Sequence, residues 1–186
     1  MRKTGIFLVF LLLLAGINFS IWRTEQVLEN GQEVILQLAP VDPRSLMQGD
    51  YMALRFALGE EVRGLLRQQL AANVPGGPAG TADIGDWLPA LSGTLLVQLD
   101  DQGIARLVSL DGEQPATEGQ LRLHYRLRHG TVQFATNGFF FQEGTAKQYE
   151  AARYGLFRVS GQGQPYLTHL LDEKLEKIGQ TAVLQN

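Results

Sequence analysis

Three groups of residues in this 186-residue chain are of types that could do chemistry. The first is Glu143-Gly144 followed by Tyr149, Arg153 and Tyr154. A carboxylate, a phenol and a guanidinium can hold a polar ligand or move a proton, and Asp50 would add a second carboxylate. The same residues also fit a brace. If 146–153 is helical, Tyr149 and Arg153 share a face at i and i+4, with Glu143 capping the helix or pairing with Arg153 or Arg55. The second group is Arg122, His124 and Arg126, which alternate with Leu121, Leu123, Tyr125 and Leu127, with Arg128 continuing the series. A strand would turn the basic residues onto one face. That face is either solvated and matched by nearby acids, or a docking stripe for an acidic partner or lipid headgroups. The third group is His124, His129 and His169, whose spacing suits no metal ligand set. Gly76-Gly77-Pro78 lacks the lysine and the strand-to-helix setting of a phosphate loop. No metal and no cofactor is expected.

Composition narrows the field further. The chain has no cysteine, which removes a thiolate nucleophile, an iron–sulfur cluster, a disulfide framework and a cysteine-linked lipid. Formal charge is −3, and setting aside residues 1–22 leaves 14 basic and 19 acidic residues, net −5. A nucleic-acid binder would carry a basic footprint instead. No internal repeat of solenoid or propeller length is present.

The elements that must position these groups begin with a membrane segment. Arg2-Lys3 precede an apolar run from Gly5 to Trp22 with no charged residue in it. As a helix, those residues span roughly 27 Å at about 1.5 Å each, close to a hydrocarbon core of about 30 Å. Basic residues at the N-terminal end place it in the cytoplasm, and Trp22 suits the interface. The competing reading is a cleaved signal peptide, favoured by a short apolar core before Asn18. Bulky Ile17 after Ala15-Gly16, and the apolar Phe19, Ile21 and Trp22, argue for an uncleaved anchor. The expected organisation is therefore a cytoplasmic N-terminus at 1–4, a transmembrane signal anchor at 5–22 and an extracytoplasmic domain at 23–186.

Past the anchor, 33–39 is apolar and β-branched enough for a strand, ended by Pro40 and Pro43. A loop returns the chain to Gly49, which launches a strand over 51–58. Met52, Leu54, Phe56 and Leu58 share its inner face, and Tyr51, Ala53 and Arg55 its outer one. The two strands are expected to pair antiparallel. Gly59-Glu60-Glu61 opens a helix with an apolar stripe of Val62, Leu65, Leu66 and Leu70. Residues 73–86, with Pro75-Gly76-Gly77-Pro78, form an exposed loop. Three hairpins follow, 91–99 with 104–110, 120–127 with 131–136 and 155–160 with 166–171, each turned at a glycine. A short helix covers 146–153, and the polar tail from Lys174 packs poorly. The fold class is α+β: an N-terminal transmembrane helix, then an antiparallel β-rich domain, a curled sheet or partial barrel, with two short helices.

Gly49-Asp50-Tyr51-x-x-Leu54-x-Phe56 resembles the signature of the bacterial GDYXXLXY protein family, with phenylalanine in place of the last tyrosine. Phe139-Phe140-Phe141-Gln142-Glu143-Gly144 and Tyr149-Glu150-x-Ala152-Arg153-Tyr154-Gly155-x-Phe157-Arg158-Val159 are similar to the second half of that family. The resemblance implies a single-span protein of the bacterial inner membrane, its C-terminal domain in the periplasm or outside the cell, beside a polytopic membrane-protein partner. It supplies no catalytic residues. The outline is also similar to that of signal peptidases, but Val41-Asp42 hold the place of the nucleophilic serine, and Ser45 stands only four residues before Gly49. A Ser–Lys dyad further needs a buried lysine. Beyond the anchor only Lys147, Lys174 and Lys177 are available, the first on an amphipathic helix and the other two in the tail. The expected role is an accessory or interaction subunit; the alternative is a ligand-binding or hydrolytic domain using Glu143, Tyr149, Arg153 and Asp50.

Overall fold

The computed structural model describes residues 2–39, 47–48, 51–73, 89–110, 112, 115–136 and 138–179, without the side chains of 2–5, 7–8, 47–48 and 71–73. Helix α1 (Arg2–Asn30) leads through Gly31 into strand β1 (Gln32–Gln37). Strands β2 (Met47–Gln48) and β3 (Tyr51–Ala53) precede helix α2 (Ala57–Asn73). Then come β4 (Leu91–Leu99), β5 (Ala105–Ser109), β6 (Gln120–Arg128), β7 (Thr131–Gln133) and β8 (Gly138–Phe140). A single-turn helix α3 (Ala146–Tyr149) leads to β9 (Tyr154–Val159), β10 (Pro165–Leu171) and β11 (Lys177–Ile178).

The strands form three sheets, ordered β1-β9-β10-β11, β2-β3-β8 and β5-β4-β6-β7, with every strand pair antiparallel. One isolated parallel contact, Ile35 with Ile104, joins the two four-stranded sheets, the Ile35 amide donating to the Gly103 carbonyl at 2.9 Å. They thereby make one curled half-barrel layer. The β-rich antiparallel character read from the sequence is therefore present, as are its three hairpins.

A single apolar core fills the curl. Along β6 the period of two buries Leu121, Leu123, Tyr125 and Leu127 and turns Arg122 and Arg126 outward. On α2, Leu58, Val62 and Leu66 are buried at four-residue steps and Leu70 packs against them. Leu65, expected in that stripe, is 36% exposed, because a step of three from Val62 rotates past the packed face. The helix is 17 residues long rather than short, and it starts at Ala57 instead of Gly59.

Two further expectations are corrected. Strand 33–39 does not pair with 51–58. β1 runs antiparallel to β9, Val34 opposite Phe157, and touches the other segment only at Leu38–Phe56 and by the Ala39 amide to the Arg55 carbonyl at 2.8 Å. β3 ends at Ala53 and is held between β2 and β8. The tail is not loose at its start, since β11 pairs with the end of β10 and Ile178 packs on the core.

α1 and the domain meet at a tight junction. The Gly31 amide donates to the Val27 carbonyl at 2.7 Å, and a Cβ at Gly31 would fall 3.0 Å from the Val159 carbonyl oxygen, so a larger residue would push the helix off β9. Arg158 donates to the Gly31 carbonyl and pairs with Glu33, both at 2.8 Å. Among the described residues, no helix is long and apolar enough to cross a membrane. The transmembrane assignment of 5–22 draws no support from that test.

Candidate functional site

The signature segment is built as architecture. Met52, Leu54 and Phe56 are buried, and Arg55 is exposed. Phe56 meets Phe134 and Phe157 edge to face, at centroid distances of 6.1 and 5.4 Å. A tyrosine hydroxyl here would sit in the core, so phenylalanine supplies the needed volume. On the other face Tyr51 is half-buried and stacks on Phe140 of β8, 5.4 Å away. Phe140 is itself 49% exposed. Gly49 and Asp50 lie outside the described residues, as do Pro40, Pro43, Ser45 and the 74–88 part of the proline-glycine loop.

The polar cluster does not converge. α3 stops at Tyr149, so Tyr149 and Arg153 do not share a helical face. The reason is the backbone of Arg153, whose amide donates to the Leu171 carbonyl and whose carbonyl accepts the Leu38 amide, both at 2.8 Å. Arg153 thus already belongs to the sheet between β1 and β10. Tyr149 is buried, with its ring 5.1 Å from both Phe139 and Phe141. The Arg153 guanidinium is exposed and donates to the carbonyls of Glu150 and Ala152. Glu143 and Gly144 are exposed in the turn before α3, and Tyr154 opens β9 half-buried. Among the described residues, Glu143 pairs with neither Arg153 nor Arg55.

The basic stripe is better built. Its Arg122 and His124 line a cleft of about 450 Å³ between β4, β6 and the β9–β10 turn. The Arg122 Nε–H donates to the Gly112 carbonyl at 2.7 Å. His124 Nε2 lies 2.7 Å from the Gln162 carbonyl, which can only accept, so Nε2 carries the proton. In the neutral ring Nδ1 then accepts the Thr94 hydroxyl at 3.2 Å. The His124 amide also donates to the Gly163 carbonyl at 2.8 Å. Gly163 holds φ +87°, and a Cβ there would press on the Arg122 backbone, so the turn can seat on β6 only with glycine. Arg126 and Arg128 are exposed along the same strand and do not line the cleft.

Two of the cleft's other wall residues, Thr94 and Gln162, are not apparent in the sequence. They come from β4 and from the β9–β10 turn, and only the sheet register, Thr94 opposite His124, brings them together. The Gly161-Gln162-Gly163 turn is the one local signal of a close approach. Among the described residues, no three histidines or acids gather as a metal site.

The GDYXXLXY protein family matches residues 13–170, which spans the signature, the half-barrel and the end of β10. This chain belongs to that family. No curated protein and no solved structure gives a significant match. Within the GDYXXLXY signature of this chain, the described hydrophobic positions Leu54 and Phe56 are core residues, and Tyr51 covers the β3–β8 pair from outside.

Proposed function

We propose that this chain is a membrane-anchored extracytoplasmic domain that acts as an accessory or interaction subunit of a polytopic membrane protein. The observation that carries the reading is the surface of α1. Every large apolar side chain described between Ile6 and Trp22 is 43–70% exposed. The run Val9 to Leu14 is continuous, so the apolar surface goes all the way round. A helix of that kind is at home only inside protein or lipid. The sequence run reaches back through Leu8, Phe7 and Gly5, beyond the side chains that the structure describes. Arg2 and Lys3 before the run orient it with the N-terminus in the cytoplasm.

The scattered polar cluster supports an interaction module over the hydrolytic alternative. Glu143 is exposed, Tyr149 is buried among phenylalanines, and Arg153 is tied to nearby carbonyls. The clamped Gly31 junction suits a domain held at a fixed attitude to the end of its anchor. Photo-crosslinkers placed at Leu11 and Leu13 of the full-length chain in native membranes test the reading. Capture of a defined multi-span protein is expected; recovery of the chain alone or of its own dimer contradicts the accessory role.

A further inference from the structure

We infer that one face of α1 docks a membrane-spanning helix of another protein, one that offers a hydrogen-bonding side chain inside the bilayer and a basic residue just outside it. The inference rests on the anchored, accessory reading and names the partner's chemistry.

Geometry selects the face. α1 meets the domain at β9, where Thr24, Val27 and Leu28 are half-buried and Arg23 donates to the Gln162 side-chain oxygen. At about 100° per residue, Leu11, Leu14, Asn18, Trp22, Glu25 and Glu29 lie within about 40° of one line along the helix, and Val27 lies opposite. All six are exposed. The Arg158 clamp on Gly31 keeps that line turned away from the domain, so a neighbour in the bilayer can reach it.

Chemistry selects the occupant. Asn18 and Ser20 are the two polar side chains of the Gly5–Trp22 run. Asn18 stands four residues, about 6 Å, below Trp22. One of its amide hydrogens goes to the Leu14 carbonyl at 2.8 Å. Among the described residues, its other amide hydrogen and its Oδ1 have no partner. Hydrocarbon offers them none, so they favour a polar side chain on a facing helix. Above the bilayer Glu25 and Glu29 extend the same line. They stand near the C-terminal end of α1, where the helix dipole favours cations, yet the last turn holds no basic residue. Among the described residues neither acid forms an ion pair. Their placement is unfavourable within this chain and becomes favourable against a lysine or arginine of a neighbour. The same charges disfavour a second copy, because a two-fold pair along this face would set Glu25 and Glu29 against their own kind.

A photo-reactive diazirine amino acid is placed in turn at Leu11, Leu14, Leu13 and Ile17 of the full-length chain in native membranes. All four side chains are exposed, but Leu13 and Ile17 stand off the line. Capture of a defined multi-span protein should be several-fold stronger from Leu11 and Leu14. The captured peptide should come from a spanning helix with a hydrogen-bonding side chain in its span and a lysine or arginine at its outer end. Asn18→Leu should lower the yield from Leu11 about three- to tenfold. Glu25→Lys with Glu29→Lys should lower it by at least as much, while the urea midpoint of the purified protein holds or rises, since positive charge suits that helix end. Equal capture from all four positions, or stronger capture from Leu13 and Ile17, overturns the face and leaves the accessory reading standing. Unchanged yield in either variant, or a captured helix without the polar and basic residues, overturns the assigned chemistry. Capture of the chain itself from Leu11 and Leu14 replaces the partner helix by a second copy and overturns the inference. No capture from any position removes the accessory reading and the face together.

Discussion

Phe56 meets the edge of Phe157 at a centroid distance of 5.4 Å and an interplanar angle of 67°. One ring belongs to the signature segment and the other to the central strand β9. Phe56 also touches Phe134 just beyond β7, so it packs against both four-stranded sheets. Phe56→Ala is expected to cost about 3–5 kcal/mol, as aromatic truncations in closed cores do. Urea unfolding followed by far-UV dichroism reads the loss, and a shift under about 1 kcal/mol would mean that Phe56 does not bridge the two halves.

Tyr51 differs, although it stands in the same motif. It is half-buried, and its partner Phe140 is on the surface. Tyr51→Ala should keep the fold and lower stability by about 1 kcal/mol, the scale of one exposed aromatic pair. Loss of the native near-UV spectrum in this variant would contradict the assignment.

Glu143 and Tyr149 should separate just as clearly. Glu143→Gln is expected to change stability by no more than about 0.5 kcal/mol, since the residue is exposed. Tyr149→Ala removes a buried ring between Phe139 and Phe141 and should cost about 3 kcal/mol. Equal effects from the two changes would restore a cooperating polar cluster.

Stability should fall in mild acid because of His169. Burial lowers its pKa, and the nearby Lys177 lowers it further, against an opposing pull from Glu33. The unfolded chain therefore binds the proton more readily than the folded one. The contribution is complete above the unfolded value of about 6.5 and is lost as pH falls from there through the lowered folded value. Asp100 adds a separate loss in stronger acid. The Ile104 amide, then the Gln102 amide and Arg106, hold its carboxyl below the usual value, and that contribution goes once pH drops beneath about 4. Denaturant midpoints across this range should show the first fall, and His169→Asn should flatten it. An unchanged slope in that variant would assign the loss to another group.

Local pattern made much of the fold legible. Alternation and glycine turns gave the three hairpins, and period two gave the inner face of 52–56, while Leu58 is buried from helix α2. Partners far apart in sequence were not legible. β1 could pair with any apolar strand, and β9 won by matching its register along six residues from Gln32 to Gln37. The end of α3 was hidden for a related reason, because the sheet claims the Arg153 backbone from two sides. At the cleft the basic residues were readable from β6 alone, but Thr94 and Gln162 enter only through tertiary register.

The central claim is that α1 holds the domain outside the cytoplasm. The chain lacks cysteine, so single substitutions report topology without background. Gln102→Cys lies in the exposed β4–β5 turn, and Thr4→Cys precedes the apolar run. In intact cells with a permeabilised outer membrane, a membrane-impermeant maleimide should label Gln102→Cys at once and Thr4→Cys only after lysis. Protection of Gln102→Cys until lysis would contradict the account.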